Sequence, residues 1–421
     1  MSSRHLKIRD FCEVFDGPHA TPQKTDEGPF YLSISSLENG TLDLSKSAHV
    51  SEQEYTKWTK RVTPRKGDLL FSYETRLGEA ALMPDGVKAC LGRRMGILRP
   101  DPQKVLPAYL LYSYLAPEFQ GVIVSNTITG ATVHRLSLTD LPDFQMWIPP
   151  IEVQQLTVAV LSALDAKIEL NQQINAELEG MAKLLYDYWF IQYDFPMSAA
   201  QAAALGKPHL TGHPYRASGG KMIYNETLKR EIPKGWEVST LSDFAKITMG
   251  QSPPGDSYNQ EGTGSVFFQG STDFGWRYPD VREYTTAPSR LAKAGDILLS
   301  VRAPVGTLNI ADRDCCIGRG LAALHAKTGH NSFLFEVMLY FKAIFDRRNA
   351  SGTTFGSITK DDLHELIFSR PPFNSPLLDE FESKTKPMHQ AILTNHQQTQ
   401  ELTTLRDWLL PMLMNGQVSV G

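Results

Sequence analysis

Apolar residues recur at alternating spacings of three and four along one stretch in each half of the chain. In the first, Leu161, Leu164, Ile168, Asn171, Leu178 and Leu185 form a coiled-coil seam with one polar member. In the second, Met388, Ile392, Asn395, Leu402 and Leu409 fall on the corresponding places, with Asn395 in the slot of Asn171. A helix over Glu152 to Tyr186 would run about 50 Å at ~1.5 Å per residue, too long to lie over a single small domain. Neither helix can hide such a stripe alone, and the simplest partner for each is the other. Antiparallel pairing about a pseudo-twofold axis would bring Asn171 and Asn395 together. A buried amide pair there would fix the register, because sliding the helices would leave each amide facing leucine. The alternative places both amides on the solvent side of a curved helix.

The seams belong to a longer duplication. Gly67-Asp68-Leu69-Leu70-Phe71-Ser72 returns as Gly295-Asp296-Ile297-Leu298-Leu299-Ser300, and Gly78 returns as Gly306 at the same offset of 295 − 67 = 228. Cys90-Leu91-Gly92-Arg93 recurs as Cys316-Ile317-Gly318-Arg319, Thr129-Gly130-Ala131-Thr132 as Ser351-Gly352-Thr353-Thr354, Leu141 as Leu363, and Pro149-Pro150 as Pro371-Pro372. The order never breaks, and small drifts in offset are those of loop insertions and deletions. Within each half, Asp68 to Ser72 and Val266 to Phe268 read as short strands bounded by glycine, and Lys104 to Tyr114 and Phe333 to Phe345 as helices. The expected class is α+β: two tandem-duplicated, β-rich domains separated by two long helices that form an antiparallel coiled coil. The boundaries expected are a first domain over 1–150, a first spacer helix over 151–192, a linker over 193–235, a second domain over 236–372, a second spacer helix over 373–416, and a tail over 417–421. The linker, rich in Ala, Gly, Ser and Pro, reads as about forty residues of mostly extended surface chain, with Trp236 anchoring the start of the second domain.

Composition narrows the class. At 421 residues there is chain for two ordinary domains plus the helices, and 41% hydrophobic with 21% charged residues is typical of a soluble globular protein. There is no run of eighteen apolar residues and no signal-peptide core, so no membrane association is expected and the cytoplasm is the expected location. Cys12, Cys90, Cys315 and Cys316 lack any metal-ligand spacing and are expected to be reduced, partly buried small hydrophobes. A formal charge of −4 gives no global basic signature, so nucleic-acid binding would need local patches.

Two variable globular halves each close on Pro-Pro and a long helix. Ser218-Gly219-Gly220-Lys221-Met222-Ile223-Tyr224-Asn225 follows the first, and Leu405-Arg406-Asp407-Trp408-Leu409-Leu410-Pro411 ends the second. This arrangement resembles the DNA-specificity subunit of a type I restriction-modification enzyme, over essentially the whole chain. The resemblance implies two target-recognition domains, each reading one half of a split site in double-stranded DNA. The helices would hold them apart and dock two methyltransferase subunits, and restriction subunits would join for host defence. It implies no cofactor in this chain, with S-adenosylmethionine in the partner methyltransferase and ATP and Mg in the restriction subunit. On this reading Leu170, Tyr186, Trp189 and Trp408 are candidate docking anchors, or else pack on the chain's own halves.

Base edges are read by arginine on guanine and by Asn or Gln on adenine, while Ser, Thr and Lys mostly hold phosphate. The candidates in the first domain are Arg76, Arg93, Arg94, Thr132, His134 and Arg135. Those in the second are Gln269, Arg277, Tyr278, Arg302, Arg319, Thr353 and Thr354. Positions matched in the repeat, Arg93 with Arg319 and Thr132 with Thr354, suit shared backbone contacts. Arg94, His134 and Arg135 against Arg277, Tyr278 and Arg302 are the candidates for specificity. Each arginine is otherwise an ordinary surface or salt-bridged residue. The loops Thr127 to Val133 and Ala350 to Phe355 suit phosphate contacts, or are plain turns. No phosphate loop GxxxxGK[ST] occurs, Gly262-Thr263-Gly264 is not completed to GxGxxG, and Arg370-Pro371-Pro372-Phe373 lacks the polar first residue of the adenine-methyltransferase motif. A non-catalytic subunit is therefore expected. Two alternatives remain: a piece of a single-polypeptide restriction-methylation enzyme, or a decoy scaffold that binds partner subunits without reading DNA.

Overall fold

The computed structural model describes residues 4–129, 133–350, 357–418 and 420. Compactness divides the chain into residues 1–170 with 398–421, and residues 171–397. Each long helix therefore contributes residues to both units, where the sequence pattern assigns each helix to one continuous segment.

In the first unit an antiparallel sheet has the strand order Cys12–Asp16, Met95–Pro100, Leu69–Ser72, Ala80–Leu82. In the second the order is Ala245–Met249, Leu321–Ala326, Ile297–Ser300, Leu308–Ile310. The two sheets share one topology. Leu69–Ser72 and Ile297–Ser300 are buried at every position, which is why they read as unbroken apolar runs rather than alternating ones. The Gly-Asp ahead of each strand has a structural role. Gly67 and Gly295 take φ of 84° and 87°, and the next aspartate closes the turn by accepting a backbone N–H three residues back: Arg65 to Asp68 and Lys293 to Asp296, both at 2.8 Å. Asp68 is then ion-paired with Arg99 at 2.7 Å, and Asp296 faces His325 Nδ1 at 2.8 Å.

The Cys-x-Gly-Arg repeat also has a backbone reason. Tyr31 pairs in parallel with Cys90, and Phe267 with Cys316. A Cβ on Gly92 would overlap the Leu32 carbonyl, and one on Gly318 would lie 2.9 Å from Gln269 Cα, so only glycine fits either crossing. All four cysteines are buried and unbonded. Burial pushes the Cys90 thiol up to about 11 and Cys315 up to about 12, consistent with unreactive thiols.

The duplication reaches further toward the N-terminus than the sequence motifs alone indicate. Arg4–Lys7 pairs with Gln145–Ile148, and Glu237–Thr240 with Ile367–Arg370. Asp10 accepts the Lys7 N–H and Asp243 accepts the Thr240 N–H, both at 3.1 Å, so 243 − 10 = 233 is the offset in this part.

The long helices span Ile151–Tyr186 and Pro376–Met414. Gln154, Thr157, Leu161, Ile168, Asn171, Asn175, Ala182 and Tyr186 form the buried stripe of the first. In the second unit Asn395 Nδ2 donates to Asn175 Oδ1 at 2.9 Å and the Tyr186 ring lies 6.4 Å from Phe381. In the first unit Asp165 pairs with Arg406 at 3.1 Å, and Leu161 shares a core with Leu413. Positions rise along one helix as they fall along the other, so the pairing inside each unit is antiparallel. Each helix also caps its domain. Gln154 Oε1 accepts the Leu106 N–H at 2.8 Å, ahead of helix Pro107–Leu115. Glu382 accepts from Ser332 N at 3.2 Å and Ser332 Oγ at 2.8 Å, at the start of helix Asn331–Ala350.

The expected extended linker is corrected. Its small residues form helix Ala199–Ala204, capped by Ser198, and its β-propensity residues form the hairpin Met222–Asn225 with Arg230–Pro233. Phe195, Met197, Ala202, Tyr215 and Ile232 are buried in the core of the second unit. Trp236 is buried there too, its ring 5.2 Å from Tyr193 and 5.3 Å from Phe195. Aromatic burial on this scale, about 25 cal/mol per Å², outweighs the flexibility of the intervening glycines.

Candidate nucleic-acid interface

A loop with matched hydrogen bonds follows the buried strand in each unit. Ser72 donates its hydroxyl to the Glu74 carbonyl at 2.9 Å, and Ser300 to the Arg302 carbonyl at 2.7 Å. Tyr73 N–H donates to Arg94 O at 3.2 Å where Val301 N–H donates to Gly320 O at 2.9 Å. Leu136 N–H donates to Tyr73 O at 2.8 Å where Ile358 N–H donates to Val301 O at 2.9 Å. Glu74 bridges Arg135, and Arg302 bridges Ser357. Gly78 and Gly306 close the loops at φ 88° and 89°. Positions 74, 94 and 135 of the first unit are thus positions 302, 320 and 357 of the second.

In the first unit this loop gathers the described candidates. Arg94, itself at φ 71°, is ion-paired with Glu74 at 2.9 Å and donates to Thr75 Oγ1 at 3.1 Å. Arg76 pairs with Glu79 at 3.2 Å. Arg93 is exposed beside Arg94, and its backbone N–H donates to the Tyr31 hydroxyl at 3.2 Å. His134 and Arg135 are exposed on the hairpin of Thr127–Thr129 with His134–Leu136. In the second unit Arg302 and Arg319 are exposed. The Arg319 N–H donates to Ser252 Oγ at 3.4 Å, and the same hydroxyl holds Gln269 at 3.0 Å. Thr132, Thr353 and Thr354, and the tips of the two Gly/Thr loops, lie outside the described residues.

Arg277 and Tyr278 are corrected. The Arg277 side chain is 1% exposed, ion-paired with Glu179 at 2.8 Å, donating to His389 Nδ1 at 3.0 Å, with its guanidinium 4.4 Å above the Phe335 ring. Tyr278 is buried with its ring 4.8 Å from His396. Both side chains fasten the second domain to the helix segments of its own unit and present nothing to a duplex. Burial, and then the Arg277 charge, pushes His389 down to about 3, so it stays neutral and its ring nitrogen accepts. Tyr186 and Trp189 likewise lie in the core of the second unit, whereas Leu170 and Trp408 are exposed. Asn171 is fully buried, but the side-chain partner of Asn395 is Asn175, and Asn171 Nδ2 donates to the Asn395 backbone carbonyl at 3.5 Å. Asn175, the third amide of this contact, escaped the sequence reading because its counterpart in the repeat is Thr399.

Among the described residues no group of three acidic, histidine or cysteine side chains could hold a metal ion, and no helix is long and apolar enough to cross a membrane. The arrangement offers two similar exposed loops carrying guanidinium groups, one in each unit.

The fold and these paired loops define a duplicated α+β recognition protein. Residues 4–180 and 233–376 match the type I restriction modification DNA specificity domain, so the chain belongs to that family and carries its domain twice. It is 29% identical to the putative type I restriction enzyme MjaX specificity subunit of Methanocaldococcus jannaschii, over 98% of this chain and 93% of that protein. It is 23% identical to the type I restriction enzyme HindI specificity subunit of Haemophilus influenzae, over 84% of this chain and 87% of that one. The fold is shared with the S subunit of a type I restriction-modification system from M. genitalium, at 14% identity and a TM-score of 0.61, over 98% of this chain and 96% of that one.

Proposed function

We propose that this chain is the DNA-reading, non-catalytic subunit of a type I restriction-modification complex. Each unit contacts one half of a split site in double-stranded DNA. The observation that carries the reading is the matched loop after the buried strand, present twice with the same hydrogen bonds and with different exposed guanidinium groups. Two copies of one reader whose contact residues differ suit a site whose halves differ in sequence. The long helices set the gap between half-sites and, through exposed residues such as Leu170, Leu184 and Trp408, dock methyltransferase subunits, two per specificity subunit. Restriction subunits join that assembly. The chemistry and its cofactors reside in these partners: S-adenosylmethionine with the methyltransferase, and ATP and Mg with the restriction subunit.

The test is methylation mapping in cells that express this chain with its cognate methyltransferase, against cells lacking this chain. The expected result is one new motif of two short half-sites, with adenines methylated on opposite strands. A soluble complex that methylates no new motif would sink the reading. Inserting four residues in each helix, about 6 Å of rise, is expected to change the number of unread base pairs or abolish methylation. An unchanged gap would refute the helices as the ruler.

A further inference from the structure

Among the positions at which the two matched loops differ, three change together. The first unit has Glu74, Arg94 and Arg135, an acid flanked by two arginines, with the Glu74–Arg94 pair closed at 2.9 Å. The second has Arg302, Gly320 and Ser357 at the same places. The charge at the first position is reversed, and both flanking arginines have become small residues. Arg302 is exposed and makes no ion pair among the described residues. Around these positions the serine hydroxyl bond, both backbone hydrogen bonds and the left-handed glycine recur, while Thr75 at φ 73° stands where the second loop has the cis Ala303–Pro304 peptide.

We propose that this three-residue set determines which bases each unit reads, with Arg94 as the guanidinium offered by the first unit and Arg302 as that offered by the second. The inference deepens the proposed function and rests on it. A guanidinium is a fork of parallel N–H donors that matches O6 and N7 of guanine, and it needs a fixed direction to discriminate. In the first unit Glu74 and Thr75 supply the direction by holding Arg94. In the second unit the equivalent of Arg94 is Gly320, and the guanidinium starts instead from the position Glu74 occupies in the first. The two forks therefore leave the same scaffold from different points, which moves the base pair each one meets. Glu74 is a positioning residue, and Arg94 and Arg302 are contact residues.

The experiment compares methylation motifs of the complex carrying the parent chain, Arg302→Ala, Arg302→Lys, and the triple exchange Glu74→Arg with Arg94→Gly and Arg135→Ser. Arg302→Ala and Arg302→Lys are each expected to relax one base position of one half-site by about tenfold to a hundredfold and to leave the other half-site intact. The lysine variant keeps the charge but loses the fork, so it separates base reading from phosphate holding. The triple exchange is expected to alter the opposite half-site only. Parent-like methylation by the lysine variant, or a loss spread evenly over both half-sites, would make Arg302 a phosphate contact and overturn the proposal. A parent motif that survives all variants would overturn this inference alone, whereas no split motif from the parent would overturn the function and the inference with it. If the triple exchange does not fold, the single lysine variant at an exposed position still decides.

Discussion

Glu179→Ala should destabilise the second unit by about 3–5 kcal/mol, because it strands a guanidinium that is 1% exposed. Arg277 would be left with His389 Nδ1 and the face of Phe335 as partners. His389 cannot compensate by changing charge, since burial already holds it neutral. Glu179→Gln keeps an acceptor oxygen and should cost clearly less. Arg277→Met with Glu179→Leu removes both charges and leaves apolar stems beside Phe335, and should be close to neutral. Urea unfolding of the purified full chain checks the series through the midpoint of the second-unit transition. An alanine variant as stable as the parent would mean that Arg277 is solvated or paired elsewhere in solution.

The same pair shows where sequence reading stops. Arg277 and Tyr278 attracted attention as an arginine beside an aromatic, a combination suited to nucleic acid. The partners of Arg277 stand 98 and 112 residues away in the chain, at Glu179 and His389, and no spacing in the sequence announces contacts of that range. Strand and helix periodicity carried the fold further. The unbroken apolar runs and their glycine borders were legible because complete burial and positive φ leave compositional marks. The N-terminal part of the duplication left only Asp10, Phe11 and Gly17 against Asp243, Phe244 and Gly250, a signal at offset 233 that the fall in offset from 228 at Gly67 to 371 − 149 = 222 at Pro149 did not suggest. The linker misled because alanine and glycine dominate its composition, while Phe195, Tyr215 and Trp236 decide its structure; the Phe195 and Tyr215 rings stack at 4.7 Å. At the candidate interface the sequence supplied Arg93 with Arg319 as a matched pair, but the equivalence of Glu74 with Arg302 joins residues of opposite charge. The constant offset of 228 from Ser72 and Ser300 through Gly78 and Gly306 implies it, and the shared backbone hydrogen bonds establish it.

Replacing Glu336 by methionine should stabilise the second unit, and the gain should grow with pH. Glu336 sits on helix Asn331–Ala350, 2% exposed, and neither carboxylate oxygen has a hydrogen-bond partner among the described residues. Burial pushes its pKa up to about 8, against a weaker opposing pull from Arg277. An unfolded chain releases this proton near pH 4.5, while the folded chain keeps it until about pH 8. Between those values the folded state binds more protons, so stability falls as pH rises. At about 1.4 kcal/mol per unit, the loss accumulated by pH 8 is on the order of 4 kcal/mol. His389 acts in the opposite sense: its folded pKa is depressed to about 3, so its contribution is complete above about pH 6.5 and is lost as pH falls toward 3. Together the two groups place the stability maximum of the second unit on the acid side of neutrality. Urea midpoints of parent and Glu336→Met taken from pH 5 to pH 8.5 isolate the carboxyl, because the histidine is common to both and cancels in the difference. The difference should be smallest at pH 5 and widen steadily to pH 8. Parallel curves would show that the Glu336 carboxyl titrates in the folded chain as it does in the unfolded one, and that this helix opens to water.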